Sequence, residues 1–185
     1  MSTKLPKGRD HTGAATPVFE QRQRTQFGTL HLRRFRSDAP PDCFGELAPV
    51  AALWQARRRG GSLPRWQDFD FKDFVGWHRN IALSEIAASD ANPRFRLCGS
   101  GVVELLGGDL TGRKLSDMFP RVDADGVLAH FAAIREERVI GFLESNIPVP
   151  GREHRHFKAL ELPLEDEAGA VGRILHCLLA TARPA

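Results

Sequence analysis

The chain has 185 residues, 42% of them hydrophobic and 26% charged, and a formal net charge of +3. That length suits one domain with an extension, no apolar run approaches the roughly 18–20 residues of a membrane helix, and no apolar h-region marks a secretory signal. Cys43, Cys98 and Cys177 are odd in number and lack CxxC spacing, which argues against a disulfide framework or a zinc knuckle and makes a reducing cytoplasm the expected compartment.

The charge is unevenly spread. Residues 1–37 hold eight Lys/Arg against Asp10 and Glu20, and the remaining 18 Lys/Arg face 21 Asp/Glu, so a basic arm of +6 precedes a body of −3. Residues 1–27 show no hydrophobic periodicity and read as a solvated, largely disordered arm. The segment 29–38, "TLHLRRFRSD", alternates briefly and reads as a short strand or an arm laid on a neighbour, and Pro40-Pro41 breaks it. A domain is therefore expected over residues 41–185.

"ELAPVAALWQARRRGG" reads as a helix with Pro49 in its first turn, Val50, Leu53, Trp54 and Arg57 on one side, and Gly60-Gly61 as its stop. A turn and a short helix around Asp70–Trp77 follow. "IALSEIA" (81–87) and "RFRLCGS" (94–100) form a hairpin of two strands. "VVELLGG" gives about two turns of helix, and "TGRKLSDMFP" another helical piece. "DADGVLAHFAAIREER" is amphipathic, with Asp123 or Asp125 as its cap and Val127, Phe131 and Ile134 as its stripe. Strands at 139–149, 154–164 and 171–182 complete the order. The expected fold class is α+β: a five-stranded, mostly antiparallel sheet with short clasp helices, plus an N-terminal helical region.

The glycines invite a phosphate-loop reading and do not sustain it. Gly99 and Gly101 fit a dinucleotide fingerprint, but Glu104 stands where the third glycine belongs. Gly107 and Gly112 have P-loop spacing, but Arg113-Lys114 follow with no hydroxyl residue for magnesium. They read instead as turns and close backbone contacts. His154 and His156, two apart on a strand and next to Glu153, lack a third metal ligand at suitable spacing. Arg96 is expected to pair with Asp109 or Glu104, or to meet an anionic ligand. No catalytic constellation is visible in the spacing.

Three segments nonetheless match a known pattern in order. "RFRLCGSGVVELLGGDLTGRKLSDMFP" resembles the core of a PAS domain, most of all the single-domain PAS-like family common in alphaproteobacteria. Phe95, Arg96, Gly99, Ser100, Val102, Gly107, Asp109, Thr111, Gly112 and Leu115 sit in register. Upstream, Trp54, Leu63, Pro64, Asp68 and Asp70 correspond to that family's entry segment. Downstream, Leu162-Pro163-Leu164 resembles its last hairpin. The resemblance covers about residues 47–182. Leu53 stands where the family has an aromatic residue and Phe71 where it commonly has proline.

The resemblance implies a sensory or protein-interaction module enclosing a small pocket, acting through a homodimer or a partner protein without a fused output domain. Residues expected to line the pocket are Phe74, Trp77, Arg96, Cys98, Leu105, Phe119, His130, Phe131, Phe142 and His176. No ligand or cofactor is specified: residues 101–135 lack the cysteine that flavin photochemistry would need, and for haem His130 is a poor but open candidate as axial ligand. No enzymatic activity, membrane or nucleic-acid partner is expected. Two other classes stay open: an isomerase- or hydratase-like enzyme using His130, His176 or Glu144, and a nucleic-acid-associated regulator using the basic arm.

Overall fold

The computed structural model describes residues 15–117 and 121–181. A seven-stranded sheet forms the centre, in the order β1-β2-β5-β6-β7-β3-β4, with every neighbouring pair antiparallel. The strands are β1 (Phe19–Thr25), β2 (Gly28–Phe35), β3 (Ile81–Ala87), β4 (Asp90–Cys98), β5 (Ile140–Asn146), β6 (His156–Glu165) and β7 (Val171–Thr181). The helices are α1 (Ala48–Ala56), α2 (Ser100–Leu106) and α3 (Arg121–Glu137), with short 3₁₀ segments between them.

The expected five strands are present as β3 to β7, and the difference lies at the N-terminus. Residues 19–25, read from the sequence as disordered, form β1, which pairs with β2 through a two-residue turn and extends the sheet beyond β5. The arm has no apolar periodicity because β1 is an edge strand with mostly exposed side chains. Leu30, Leu32 and Phe35 of β2 carry the burial instead. Residues 1–14 lie outside the described part.

The hairpin β3–β4 is tighter than its turn residues suggest. β4 begins at Asp90 and includes Pro93, which a strand tolerates at a sheet edge because the missing N–H has no partner to lose. Likewise α3 starts at Arg121, so Asp123 and Asp125 lie within it rather than capping it. His154 falls in the turn before β6, so His154 and His156 do not share a strand.

Alternation along the strands gives the sheet two buried faces. On one, Phe95, Leu143, Ala159, Glu161, His176 and Leu178 meet Leu106 of α2 and Val127 and Phe131 of α3. On the other, the segment 41–56 packs against the sheet. Phe44 stacks on Phe142 at 5.9 Å and meets Phe35 edge-on at 5.2 Å. Trp54 is wholly buried, and its Nε1 donates to the Pro163 carbonyl at 3.0 Å. Lys158 is held by Glu46 at 2.5 Å.

Gly99 and Gly101 serve backbone approach. A Cβ on Gly99 would lie 2.3 Å from the His78 carbonyl oxygen, and one on Gly101 would lie 2.8 Å from that of Arg79. The glycine pair thus lets the end of β4 and the start of α2 sit on the 3₁₀ turn His78–Asn80. Glu104, the residue that spoiled the dinucleotide pattern, pairs with Arg79 at 2.7 Å.

Trp54 joins a helix to the middle of the sheet by packing and by one hydrogen bond. Trp54→Ala should lower unfolding free energy by about 3–5 kcal/mol. Trp54→Phe, which keeps most of the volume and orphans the Pro163 carbonyl, should lose about 1–3 kcal/mol. Urea unfolding of the three proteins checks both values.

Candidate functional site

The face between the sheet and α3 holds a polar cluster inside an apolar core. Glu161 on β6 and His176 on β7 are direct cross-strand partners. Glu161 accepts a hydrogen bond from His130 Nε2 at 2.8 Å, and both side chains are sealed from solvent. His176 Nε2 shares a hydrogen bond with Ser84 Oγ at 2.7 Å, again fully buried. The rings of Phe95 and Phe131 flank His176 at 5.4 and 5.7 Å.

The backbone is shaped to admit this pair. A Cβ on Gly141 would stand 2.4 Å from Glu161 Oε2, 2.4 Å from Ile134 Cδ1 and 2.9 Å from His130 Nε2. Glycine at this point of β5 therefore leaves the space that the carboxylate and imidazole occupy. His130 Nδ1 is buried and has no hydrogen-bond partner among the described residues. With Nε2 donating, it is an acceptor on the neutral ring or a donor on the charged one.

Burial acts differently on the groups here. Without a charged partner, His176 is pushed from its ordinary 6.5 down to about 3, so its ring is neutral. Cys177, on the opposite face of β7, is pushed up to about 12 by burial, which keeps it a thiol.

The cavity at this cluster is small, about 40 Å³, and is lined by Phe131, Leu143, Glu161 and His176 among others. A water needs roughly 10–15 Å³ of such space, so the cavity has room for a few atoms. Ligand pockets for drug-sized molecules run to about 300–1,000 Å³.

Of the expected lining residues, the structure brings together His130, Phe131 and His176. The other described ones lie elsewhere. Phe142 points to the opposite face and stacks on Phe44, because one residue of register separates the faces of β5. Phe74 is buried and Cys98 half-buried, and both line a separate groove of about 270 Å³ with Trp66, Phe69 and Leu97. Leu105 is buried, but its neighbour Leu106 reaches the cavity. Trp77 is half-buried and does not line it.

Arg96 pairs with Glu85 at 2.6 Å rather than with Asp109 or Glu104, and its hydrogen bond is the main cause holding the Glu85 carboxyl below its ordinary value. Glu144 lies half-exposed on the opposite face, paired with Arg33. Phe119 lies outside the described residues. Glu161 was missed, since "ALELPL" reads as a strand without saying that its central carboxylate turns inward. The available signal was its odd-numbered position, which shares a face with Phe157 and Ala159.

An antiparallel sheet whose inner face is closed by α2, a 3₁₀ turn and α3 is the fold of a PAS domain. The sequence matches the PAS domain family over residues 46–179, and the chain belongs to that family. Similar solved structures include a light-oxygen-voltage domain studied with a flavin analogue (15% identity, TM-score 0.41, 60% of this chain and 84% of that one). An RNA-binding light-oxygen-voltage receptor gives 11%, 0.45, 66% and 35%. A sensory box histidine kinase/response regulator from Burkholderia thailandensis E264 gives 15%, 0.40, 60% and 83%. No curated protein matches the chain significantly. No helix of the described residues is long and apolar enough to cross a membrane.

Two measurements test the site. His176 has its folded value depressed, so its contribution is complete above about 6.5 and is lost as pH falls toward about 3. Between pH 7 and 5 the native protein should lose about 2 kcal/mol more than His176→Gln does. Parallel slopes in denaturant titrations would remove this account. Gly141→Ala should destabilise by about 1–3 kcal/mol through crowding of the Glu161–His130 pair, seen as a lower urea midpoint at unchanged m-value.

Proposed function

We propose that the chain is a sensory and regulatory module, not an enzyme, whose input is a small molecule met at the Ser84–His130–Glu161–His176 cluster. Membership of the PAS domain family supports the sensory part of this reading. The cluster supports the rest. Four polar side chains converge beneath α3 where apolar residues would pack at least as well, since replacing both partners of a buried hydrogen bond by apolar groups of the same shape can be nearly neutral or stabilising. Such groups are the kind that fix a ligand's orientation in an otherwise apolar pocket.

The ligand class follows from size and polarity. With about 40 Å³ available, the resting interior takes a molecule of a few heavy atoms carrying a hydrogen-bonding group. A larger one enters only with displacement of α3. Ligand binding would shift the position of α3 in proportion to its differential affinity for the two states, and a partner protein or second copy would read that shift. Three free cysteines favour the cytoplasm as the compartment.

The single observation that carries the reading is the buried His130–Glu161 pair. Native mass spectrometry of freshly purified protein should show a bound small molecule. The double variant His130→Leu/Glu161→Leu should lose that mass while circular dichroism reports an intact fold. Bare protein in the wild type, or equal loading of both proteins, would reject the cluster as the input site.

A further inference from the structure

The sheet has two edges, and they are treated differently. β4 is partly covered, because Phe95 donates to the Arg113 carbonyl at 3.0 Å and accepts from Gly112 N–H at 2.8 Å. β1 pairs with β2 on its inner side and, among the described residues, with no strand on its outer side.

The parity of the β1 edge is fixed by its turn. Thr25 and Gly28 close a two-residue hairpin and therefore exchange both backbone hydrogen bonds. Antiparallel pairs alternate, so Phe19, Gln21, Gln23 and Thr25 direct their N–H and C=O groups toward β2. Glu20, Arg22 and Arg24 direct theirs outward.

We propose that this edge pairs with the same edge of a second copy of the chain, antiparallel about a two-fold axis at Arg22. An isologous contact brings one patch against itself, so the patch must be self-complementary, and "EQRQR" is. In this register one subunit's Glu20 faces the partner's Arg24, Gln21 faces the partner's Gln23, and both pairings occur twice. All three outward residues meet outward residues, so every free backbone group of Glu20–Arg24 on that side is paired.

Neighbouring registers of the right parity are poorer. A shift to Gln23 sets Arg22 against Arg24, and a shift to Gln21 pairs Glu20 with the partner's Arg22 but leaves Arg24 outside the ladder. The one like-charge pair, Arg22 with its copy, is relieved by Glu20 of the same strand, 3.7 Å from Arg22 Nη2. Charges on an edge strand usually prevent association. Here both signs are placed so that the pairing centred on Arg22 brings Glu20, Arg22 and Arg24 all into the ladder, which the shifted ones do not. The two sheets then become continuous. This surface is distinct from the ligand cluster and stands without it.

Sedimentation velocity over a micromolar concentration series should show a monomer–dimer equilibrium. Arg24→Glu sets two glutamates against each other at each end and should raise the dissociation constant about tenfold. Glu20→Arg/Arg24→Glu restores opposite charges and should return it to near the wild-type value. Glu20 also bonds His31 at 2.6 Å, so thermal melting of each variant accompanies the measurement, and Arg24→Gln with an intermediate effect replaces the double variant if it melts early. Arg22→Cys should form a disulfide-linked dimer under mild oxidation, because paired Cα atoms about 5.5 Å apart lie within disulfide reach. The wild type and Arg24→Cys are run beside it as controls for the native cysteines. A monomer at all concentrations overturns the proposal. So does a dimer indifferent to Arg24→Glu, or one in which Arg22→Cys cross-links no better than the controls.

Discussion

A carboxylate at the centre of a sheet's inner face cannot be left alone. Glu161 is 2% exposed, on the middle strand of the seven, and surrounded by phenylalanine and leucine. An unpaired buried charge is strongly destabilising, and removal of one member of such a pair is correspondingly severe. The structure meets that constraint with His130, and much else follows. α3 must present position 130 to β6, so its rotation about its own axis is set. β5 must carry glycine at 141, because any side chain there would collide with the pair. The stripe Val127–Phe131–Ile134 then falls on the sheet beside it.

The opposite face obeys a different rule. There the sheet is covered by aromatic packing, with Phe44 between Phe35 and Phe142 and Trp54 tied to the Pro163 carbonyl. This face is closed by ring packing, whereas the α3 face holds a small cavity and a histidine nitrogen with no partner among the described residues. The β1–β2 hairpin extends both faces and brings a second set of polar groups to the edge, away from the cavity.

Much of this was legible in the chain. The boundaries of β3 and the stripe of α3 followed from period-2 and 3.6-residue patterns, since each element buries one face and exposes the other. The failure of the phosphate-loop reading was visible in Glu104. The site was legible only in part. His130, Phe131 and His176 were found because they are large or titratable residues on elements with a clear period. Phe142 was misassigned because β5 is buried on both faces, and a strand without alternation gives no sign of which side a residue takes. Phe74 is buried, as expected, but with Cys98 it borders a second groove, and composition does not say which of two cavities a residue lines.

By itself, then, the sequence determined the local elements, their order and membership of a sheet-and-clasp fold, because those depend on patterns a few residues long. Tertiary structure alone decided that a strand called disordered would complete an edge, that Arg96 would choose Glu85, and that Glu161 would turn inward to meet His130. Each of those depends on which residues distant in the chain arrive at the same place. Sequence spacing carries no record of that until register and packing fix it.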